Sequence, residues 1–380
     1  MRNGILKKII VAAVILALLG VGVFLLLNYL LGKNKTYNDY KTVSEVSAAA
    51  NANAGFMVSD NMMIRYTNDG VSGFDSEAKE IWNVSYEMSN PIADICNGYA
   101  AVADLNSQNL YILDASGDVH NIKTEFQIRR VSVADEGITA VWMDDGTKDY
   151  ITVYKIDGNK VIDMMTTADA DGIPVAMEMS EDGSRLVTSY AVYEENKLTN
   201  RVTFYNFGEL GSNYVDRLVG TKTYSDRLVA DLEFKGDVVV AFSDRGFDLY
   251  DMELTEEDIA SVEIKETIMQ AAVGKEYFAL VTENDAGEYS VTVYNYKGVK
   301  KDAKPLAETY QHLQILNNEL IFYSDTSIYI TRINGKDKAT LTLDTDILAV
   351  FTEKKNTRYL IAGENRFSVI ELTETGKKEQ

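Results

Sequence analysis

The chain has 380 residues and carries 58 Asp and Glu against 37 Lys and Arg, a formal charge of −21. Its hydrophobic residues, 46% of the total, suffice for a packed core and exclude a wholly disordered chain. The single cysteine, Cys96, excludes an internal disulfide framework and a cysteine-based zinc site. With so acidic a surface we expect repulsion of nucleic acid and of anionic lipid headgroups, and therefore no nucleic-acid partner.

A 23-residue apolar segment, residues 9–31, begins the chain after a short basic tail. At ~1.5 Å per residue it reaches about 35 Å, enough to cross a bilayer. It is longer than the apolar region of a signal peptide, and the only alanine-rich candidate cleavage site, residues 47–55, lies well downstream. We therefore predict an uncleaved transmembrane helix over residues 9–31. A cleaved signal peptide and a buried soluble helix are the alternatives.

The orientation of this helix depends on the order of the segments. Basic residues lie on both sides of the apolar segment, so the positive-inside contrast is weak. A short basic tail, an apolar segment and then a large acidic domain are the layout of a signal-anchor. We expect a single-pass protein of the cell membrane with a cytoplasmic tail (1–8), a linker (32–39), an extracytoplasmic domain (40–373) and a disordered tail (374–380).

A repeat runs through the remainder of the chain. Eight segments of the type VTVYNYKG, a short strand ending in an apolar–aromatic pair before a turn, recur at intervals of 37 to 51 residues. Four-stranded propeller blades repeat at roughly 40–45 residues. Pairs such as Asn97-Gly98 and Asp182-Gly183 suit the tight hairpins that such blades need. With no long helix after residue 31, the chain is predicted to be all-β, a propeller of eight four-stranded blades. Seven blades with an amino-terminal cap is the alternative.

The two ends of the repeat predict how the ring closes. The last unit stops before a fourth strand, and residues 36–47 form a spare strand outside any unit. Pairing the two would remove two exposed sheet edges, so we expect residues 36–47 to complete the last blade. The longest interval, 51 residues, contains the segment Glu194–Thr199, which is predicted to be a surface loop where recognition occurs.

Several segments resemble known propeller repeats. Ser180-Glu181-Asp182-Gly183 resembles the hairpin of TolB-like and WD-repeat propellers, and the segment from Gly73 to Asn83 resembles a pyrroloquinoline-quinone-type repeat. The whole layout, with Asp39-Tyr40-Lys41, Ile81-Trp82-Asn83 and Pro91 to Cys96, resembles an uncharacterised domain-of-unknown-function family of membrane-anchored, propeller-like proteins in anaerobic Gram-positive bacteria. That resemblance implies a fold and a location and carries over no catalytic residue.

Motifs for chemistry are absent from the sequence. There is no G-x-S-x-G nucleophile elbow, phosphate-binding loop or G-x-G-x-x-G turn. His120 is predicted on an outer strand, His312 on the channel wall and Cys96 in the core. Three acidic turn fragments resemble parts of calcium loops, but none has the further ligands of a complete site, and turn chemistry explains them. They are Asp114 with Asp118, Asp144-Asp145-Gly146, and Asp169 to Gly172. We predict no catalytic, metal or cofactor site.

Polar residues on or beside the predicted inner strands are candidates for a channel lining. These are Asp94, Arg129, Arg130, Asp231, Gln270 and His312. They could form a polar channel mouth or simply the water-filled hole of a propeller. We expect a non-enzymatic binding or scaffold module that contacts other envelope or membrane proteins and binds the bilayer through one helix. The ligand-binding residues are unknown. The alternative is an envelope-associated hydrolase with an acidic site in the channel.

Overall fold

The computed structural model describes residues 20–22, 35–48, 54–59, 62–167, 171–194, 197–352 and 357–374. Their strands form eight separate four-stranded antiparallel sheets, each a propeller blade. Seven blades follow the chain in order, from β2–β5 as blade 1 to β26–β29 as blade 7, and blade 8 has the strand order β1-β32-β31-β30. The prediction of eight four-stranded blades is confirmed, and the seven-blade alternative is wrong.

The strands in chain order are β1 (Asp39–Ser47), β2 (Gly55–Val58), β3 (Met63–Thr67), β4 (Gly70–Phe74), β5 (Glu80–Ser85), β6 (Pro91–Cys96), β7 (Tyr99–Asp104), β8 (Asn109–Leu113), β9 (Val119–Lys123), β10 (Gln127–Val133), β11 (Thr139–Asp144), β12 (Asp149–Tyr154), β13 (Lys160–Thr166), β14 (Ile173–Met179), β15 (Arg185–Glu194), β16 (Lys197–Asn206), β17 (Leu218–Tyr224), β18 (Val229–Lys235), β19 (Val238–Ser243), β20 (Gly246–Asp251), β21 (Glu257–Glu263), β22 (Thr267–Val273), β23 (Tyr277–Glu283), β24 (Tyr289–Asn295), β25 (Lys300–Leu306), β26 (His312–Leu316), β27 (Glu319–Ser324), β28 (Ser327–Arg332), β29 (Asp337–Thr342), β30 (Ala349–Phe351), β31 (Arg358–Ala362) and β32 (Arg366–Thr373). In the described part of the chain, three short 3-10 helices cover Asp135–Gly137, Leu210–Asn213 and Val215–Arg217.

Turn chemistry and apolar packing explain why the repeat folds this way. At the first hairpin of blade 2, Asn97 and Gly98 both adopt positive φ (45° and 93°), a conformation that Asn and Gly tolerate best. The middle strands are almost wholly buried, and their side chains pack against the next blade. Phe247 of blade 5 meets Phe278 of blade 6 edge to face, with ring centroids 4.8 Å apart. The core is therefore a ring of interfaces between blades.

The inner strands of blades 3 to 6 share an irregularity. Each has one extra residue that interrupts the register with the second strand, for example between Ile128 and Arg130 in β10 and between Ile268 and Gln270 in β22. The same interruption occurs in β14 and β18. A bulge of this kind re-aims the side chains around it, and it therefore affects which residues face the channel.

The ring closes through its amino-terminal strand. β1 pairs antiparallel with β32 from Asp39↔Thr373 to Ser47↔Arg366, the position predicted for residues 36–47. Contact with the ring begins earlier, because the Arg332 guanidinium donates to the Lys35 carbonyl at 2.7 Å and the Tyr37 N–H donates to the Lys338 carbonyl at 2.8 Å. The segment expected to be a linker, residues 32–39, is thus already bound to blade 7 from residue 35 onward.

A buried ion pair lies beside this closure. The Lys338 ammonium of blade 7 donates to both carboxylate oxygens of Glu319, at 2.9 and 2.8 Å. The Tyr359 hydroxyl of blade 8 donates to the same carboxylate at 2.6 Å. Lys338 and Glu319 are 3% and 2% exposed, so both charges are removed from water and neutralised by each other. We call these three residues the closure triad.

The predicted transmembrane helix falls mostly outside the described residues. Of residues 9–31, only 20–22 are described, and they are helical. Within the described ranges, no helix has both the length and the apolar character needed to cross a membrane. The membrane helix, the cytoplasmic tail and the disordered carboxyl tail therefore stay predictions.

Blade 4 has the longest hairpin. Its strands β15 and β16 have ten residues each and pair along their whole length, from Arg185↔Asn206 to Glu194↔Lys197. The flanking strands pair only as far as Ala191 and Asn200, so the end of the hairpin is a free two-stranded ribbon. Its cross-strand neighbours Tyr193 and Leu198 are 70% and 61% exposed. The segment that was expected to be a loop is thus largely a strand extension.

Candidate functional site

The candidate site is a cavity of about 280 Å³ at one end of the central channel. The inner strands of seven blades end around it, and their last residues contribute to its wall. These wall residues are Val58, Cys96, Val133, Met179, Lys235, Val273 and Leu316. We call this end the channel mouth.

Three carboxylates from three different blades line the channel mouth: Asp94 of β6, Glu178 of β14 and Glu233 of β18. Asp94 and Glu233 both lie two residues before the last residue of an inner strand that is followed by a two-residue turn. Because equivalent positions in successive blades lie at the same depth around a propeller axis, the repeat itself brings them together. All three are half-buried, since they face a channel that is open to water.

Hydrogen bonds between blades hold two of these carboxylates. The Val133 N–H of blade 3 donates to Asp94 Oδ2 at 2.6 Å. The Ser132 hydroxyl donates to Glu178 Oε2 at 3.2 Å and accepts from the Met179 N–H at 3.0 Å. These contacts join blade 2 to blade 3 and blade 3 to blade 4, so the carboxylates also connect the ring.

Few positive charges lie near this cluster. The Arg130 guanidinium is 4.0 Å from an oxygen of Asp231. Lys235 lines the mouth and is paired with Glu181 at 2.5 Å, and Lys275 is a further cation in the wall. Asp94, Glu178 and Glu233 have no ion pair among the described residues. The channel mouth therefore has an excess of negative charge.

This arrangement raises the proton affinity of the mouth carboxylates. Burial raises the pKa of Glu233 to about 8, the charges of Asp231 and Asp94 act in the same direction, and Arg130 opposes them. Burial, together with the negative charges of Asp94 and Glu233, raises the pKa of Glu178 well above its usual value. Burial also raises the pKa of Asp94, although hydrogen bonds from the Val133 and Ile95 N–H groups oppose it. The cluster is therefore able to hold protons near neutral pH.

A protonated carboxyl group beside an ionised one can act as a hydrogen-bond donor or as a general acid. An ionised set can accept a cationic side chain. Among the described residues, no three His, Cys, Asp or Glu side chains are arranged to hold a metal ion. The chemistry open to the mouth residues themselves is thus proton transfer or recognition of a positively charged group.

Cys96 lines the mouth and is half-buried against the core between blades 2 and 3. Burial raises the pKa of its thiol to about 12, and the neighbouring charge of Asp135 reinforces this effect. A thiol that stays protonated is a poor nucleophile. Cys96 was expected inside the core, and the structure places it at the edge of the core, partly buried.

The polar residues expected at the channel are only partly brought together. Asp94 lines the mouth, whereas Arg130 and Asp231 face each other at 4.0 Å and lie near enough for their charges to act on Glu233. Arg129, the bulged residue of β10, instead turns to Asp144 at 2.7 Å and to Asn106. His312 begins β26, at the opposite end of that strand from the mouth, where it is exposed and stacks on Tyr323 with centroids 4.8 Å apart.

Two glutamines occupy the other half of the channel wall. The Gln270 side-chain amide donates to the carbonyl of Tyr310, in the segment that connects blades 6 and 7. The Oε1 atom of Gln270 is buried without a partner among the described residues. Gln314 also has an unpartnered buried Oε1. It occupies the same position before its turn as Asp94 and Glu233. The channel thus has an acidic half, blades 2 to 5, and an amide half, blades 6 and 7.

Glu178 and Glu233 are functional candidates that the sequence reasoning missed. Each is a carboxylate between apolar residues inside an inner strand, in Met177-Glu178-Met179 and Leu232-Glu233-Phe234. Side chains alternate between the two faces of a strand, so some positions must be buried or face the channel. A charged residue at such a position is the sequence signal that could have identified Glu178 and Glu233.

The other predicted positions have structural roles. His120 lies on the outermost strand of blade 2, as expected. The Asp114 carboxylate accepts the N–H groups of Ser116 and Asp118, and that of Asp145 accepts those of Thr147 and Lys148, so both fragments are turns. Asp169 lies outside the described residues.

Comparison with known proteins places the chain in a family. Residues 33–372 match the family of unknown function DUF5711. The chain belongs to this family. No curated protein matches the chain. The expected resemblance to an uncharacterised propeller-like family is therefore confirmed, and the family by itself assigns no activity.

Solved structures support the fold. BamB from Moraxella catarrhalis is similar with a TM-score of 0.55 and 14% identity, over 88% of this chain and all of that one. Apo AztD from Citrobacter koseri is similar with a TM-score of 0.53 and 12% identity, over 77% of this chain and 87% of that one. At these identities the similarity concerns the propeller fold alone.

Proposed function

We propose that this protein is a binding or scaffold module of the cell envelope, anchored by one transmembrane helix, with its amino terminus in the cytoplasm and its propeller outside. The free ribbon of blade 4 carries the proposal, because it extends beyond the flanking strands and exposes Tyr193 and Leu198 together. Apolar side chains, aromatic ones above all, are enriched at the centre of protein contact surfaces, and here two of them are exposed side by side on a projecting ribbon. The partner we propose is another protein of the envelope or membrane.

The short connection to the apolar segment supports close contact with the bilayer. Only residues 32–34 separate the predicted membrane helix from Lys35, whose carbonyl is bound by Arg332 of blade 7. Three residues span at most about 11 Å. The ring would therefore be held near the membrane by the edge where blades 7 and 8 meet, within reach of other membrane proteins.

Crosslinking in intact membranes tests this proposal. The full chain would be crosslinked and captured from its own membranes in three forms: wild type, Tyr193→Ser with Leu198→Ser, and Val161→Ser with Met165→Ser. The last pair is a matched control, because Val161 and Met165 are also exposed apolar residues, 43% and 54%, on blade 3. We expect a protein that is captured by wild type and the control and lost with the ribbon variant. Equal capture by all three forms would contradict the proposal.

A second function, a hydrolase with an acidic site in the channel, is favoured by one observation. Glu233, with its pKa raised to about 8, adjoins Asp94 and Asp231, an arrangement that suits general acid catalysis. Hydrolysis of purified cell-wall polysaccharide or peptide would test it. Under this alternative, Glu233→Gln abolishes the activity and Glu263→Gln on the outer strand of blade 5 preserves it. Under the binding-module proposal, the wild-type protein releases no product.

A further inference from the structure

The interface between blades 3 and 4 changes character along its length. Its inner part is apolar, with Ile151 and Val153 of blade 3 packed against Met177 and Leu186 of blade 4. Its outer part contains a pocket of about 300 Å³ lined by hydroxyl groups and charged side chains. This size is at the lower end of the range for small-molecule sites.

Strand register explains why polar side chains gather here. Tyr190 pairs with Arg201, and Thr203 pairs with Thr221 on the neighbouring strand, so these residues lie on one face of blade 4. Blade 3 contributes Thr166, the last residue of β13, opposite that face. The pocket is therefore built on rigid strands of two blades.

Two buried hydroxyl groups in this pocket have no partner. The Tyr190 side chain is 1% exposed, and its hydroxyl lies near those of Thr188 and Tyr205 without a hydrogen bond of normal length and angle to either. Thr166, which is 8% exposed, also has an unpartnered hydroxyl. The hydroxyls nearest in the sheet, Thr188 and Thr203, are bonded to each other. Buried polar groups are almost always paired, so two unpaired hydroxyls in one pocket indicate a partner from outside the chain.

The lining restricts the chemistry of that partner. Hydroxyl groups both donate and accept, so they suit a ligand that does the same. One carboxylate, Asp171, and one guanidinium, Arg201, balance the charge of the lining. Tyr205 and Leu218 add an apolar wall suited to C–H groups.

We propose that this pocket binds a neutral polyhydroxylated molecule the size of one sugar ring, with the hydroxyls of Tyr190 and Thr166 among its hydrogen-bond partners. The pocket is separate from the channel mouth and from the ribbon of blade 4. The proposal therefore goes beyond the proposed function and is independent of it.

Saturation-transfer NMR with the full chain tests the proposal, using D-glucose, D-galactose and N-acetyl-D-glucosamine as probes. We expect at least one of them to bind the wild type. Because each change removes one hydrogen-bonding hydroxyl, Tyr190→Phe and Thr166→Val should each weaken that binding roughly tenfold. Tyr86→Phe is the matched control, since it removes another unpartnered tyrosine hydroxyl, in the core between blades 1 and 2. The Tyr86→Phe variant should bind the sugar with the same affinity as wild type.

Two results would overturn the proposal: no binding of any of the three sugars, or equal affinity in wild type and Tyr190→Phe. Either would mean that the pocket holds water only. The variants are suited to the test because Phe and Val keep nearly the same volume and remove an unpaired hydroxyl. Unchanged melting temperatures would show that any loss of binding comes from the pocket and not from unfolding.

Discussion

The closure triad and the channel mouth both hold carboxylates away from bulk water, but they differ in the groups that surround those carboxylates. Glu319 receives two hydrogen bonds from Lys338 and one from Tyr359, all inside the protein. At the mouth, Asp94 and Glu178 receive hydrogen bonds only from neutral groups, and Glu233 makes no hydrogen bond to another described residue. The closure charges neutralise each other within blade 7, and the Tyr359 hydroxyl links them to blade 8. The mouth carboxylates, in contrast, stay available for a proton or a ligand.

Removing the closing strand should produce the largest effect. Deleting residues 1–47 exposes the β32 edge of blade 8, and we expect a loss of several kcal/mol from a typical total of about 5–15 kcal/mol. Deleting residues 1–34 keeps every described contact of the ring and is the matched control. Chemical denaturation of the two forms measures the difference. Equal free energies of unfolding would contradict the role of β1.

Breaking the closure triad should have the next largest effect. Lys338→Met leaves Glu319 buried without its cation, a change that typically costs about 3–5 kcal/mol. Adding Glu319→Leu removes the stranded charge, so the double variant should recover most of the loss. The corresponding change at the mouth, Glu233→Gln, should be neutral or stabilising at pH 7. If the double variant is as unstable as Lys338→Met, the loss of stability does not come from leaving Glu319 without its cation.

The pH dependence of stability should distinguish the two regions. Glu233 has a pKa of about 8 in the folded protein against 4.5 as its ordinary value, so the folded state binds its proton more tightly. Its contribution is present below pH 4.5 and is lost as the pH rises through 8. We expect wild type to lose on the order of 1–3 kcal/mol across this window, a range reduced for the water in the channel. Glu233→Gln should flatten the curve, and an identical slope in both proteins would refute this origin.

A smaller effect should come from the hydroxyl that joins blades 3 and 4. Ser132→Ala removes the donor to Glu178 and the acceptor for the Met179 N–H. We expect a loss of about 1–2 kcal/mol, measured by thermal or chemical unfolding. Ser116→Ala, at an exposed turn of blade 2, is the control and should change stability by less. A loss at position 132 no larger than that of the control would mean that this contact contributes little.

The fold could be predicted from the sequence because its signals are local and repeated. Asn97-Gly98 and similar pairs specify hairpins, and the unpaired end of the last unit indicated a closing strand, which is β1. The closure triad could not be predicted, because Glu319 and Lys338 meet across β28 within blade 7, and Tyr359 reaches them only through the packing of blade 8.

The channel mouth was predictable only in part. Asp94, Arg130 and Asp231 were identified because they stand out on inner strands. Arg129 was misplaced, because a bulge that the sequence does not reveal turns it toward Asp144. Glu178 and Glu233 were missed because their raised pKa values come mainly from burial in the assembled ring, reinforced by the charge of Asp94 from blade 2.

The central claim is that the channel mouth holds protons near neutral pH, because burial and the charges of neighbouring carboxylates raise the pKa of its acidic groups. A carbon-13 NMR titration of the glutamate side-chain carboxyl groups tests this directly, with the Glu233 signal assigned by its absence in Glu233→Gln. We predict a midpoint near pH 8 for Glu233 in the folded protein. A midpoint near its ordinary value of 4.5 would contradict the account and leave the mouth as a solvated, fully ionised end of the channel.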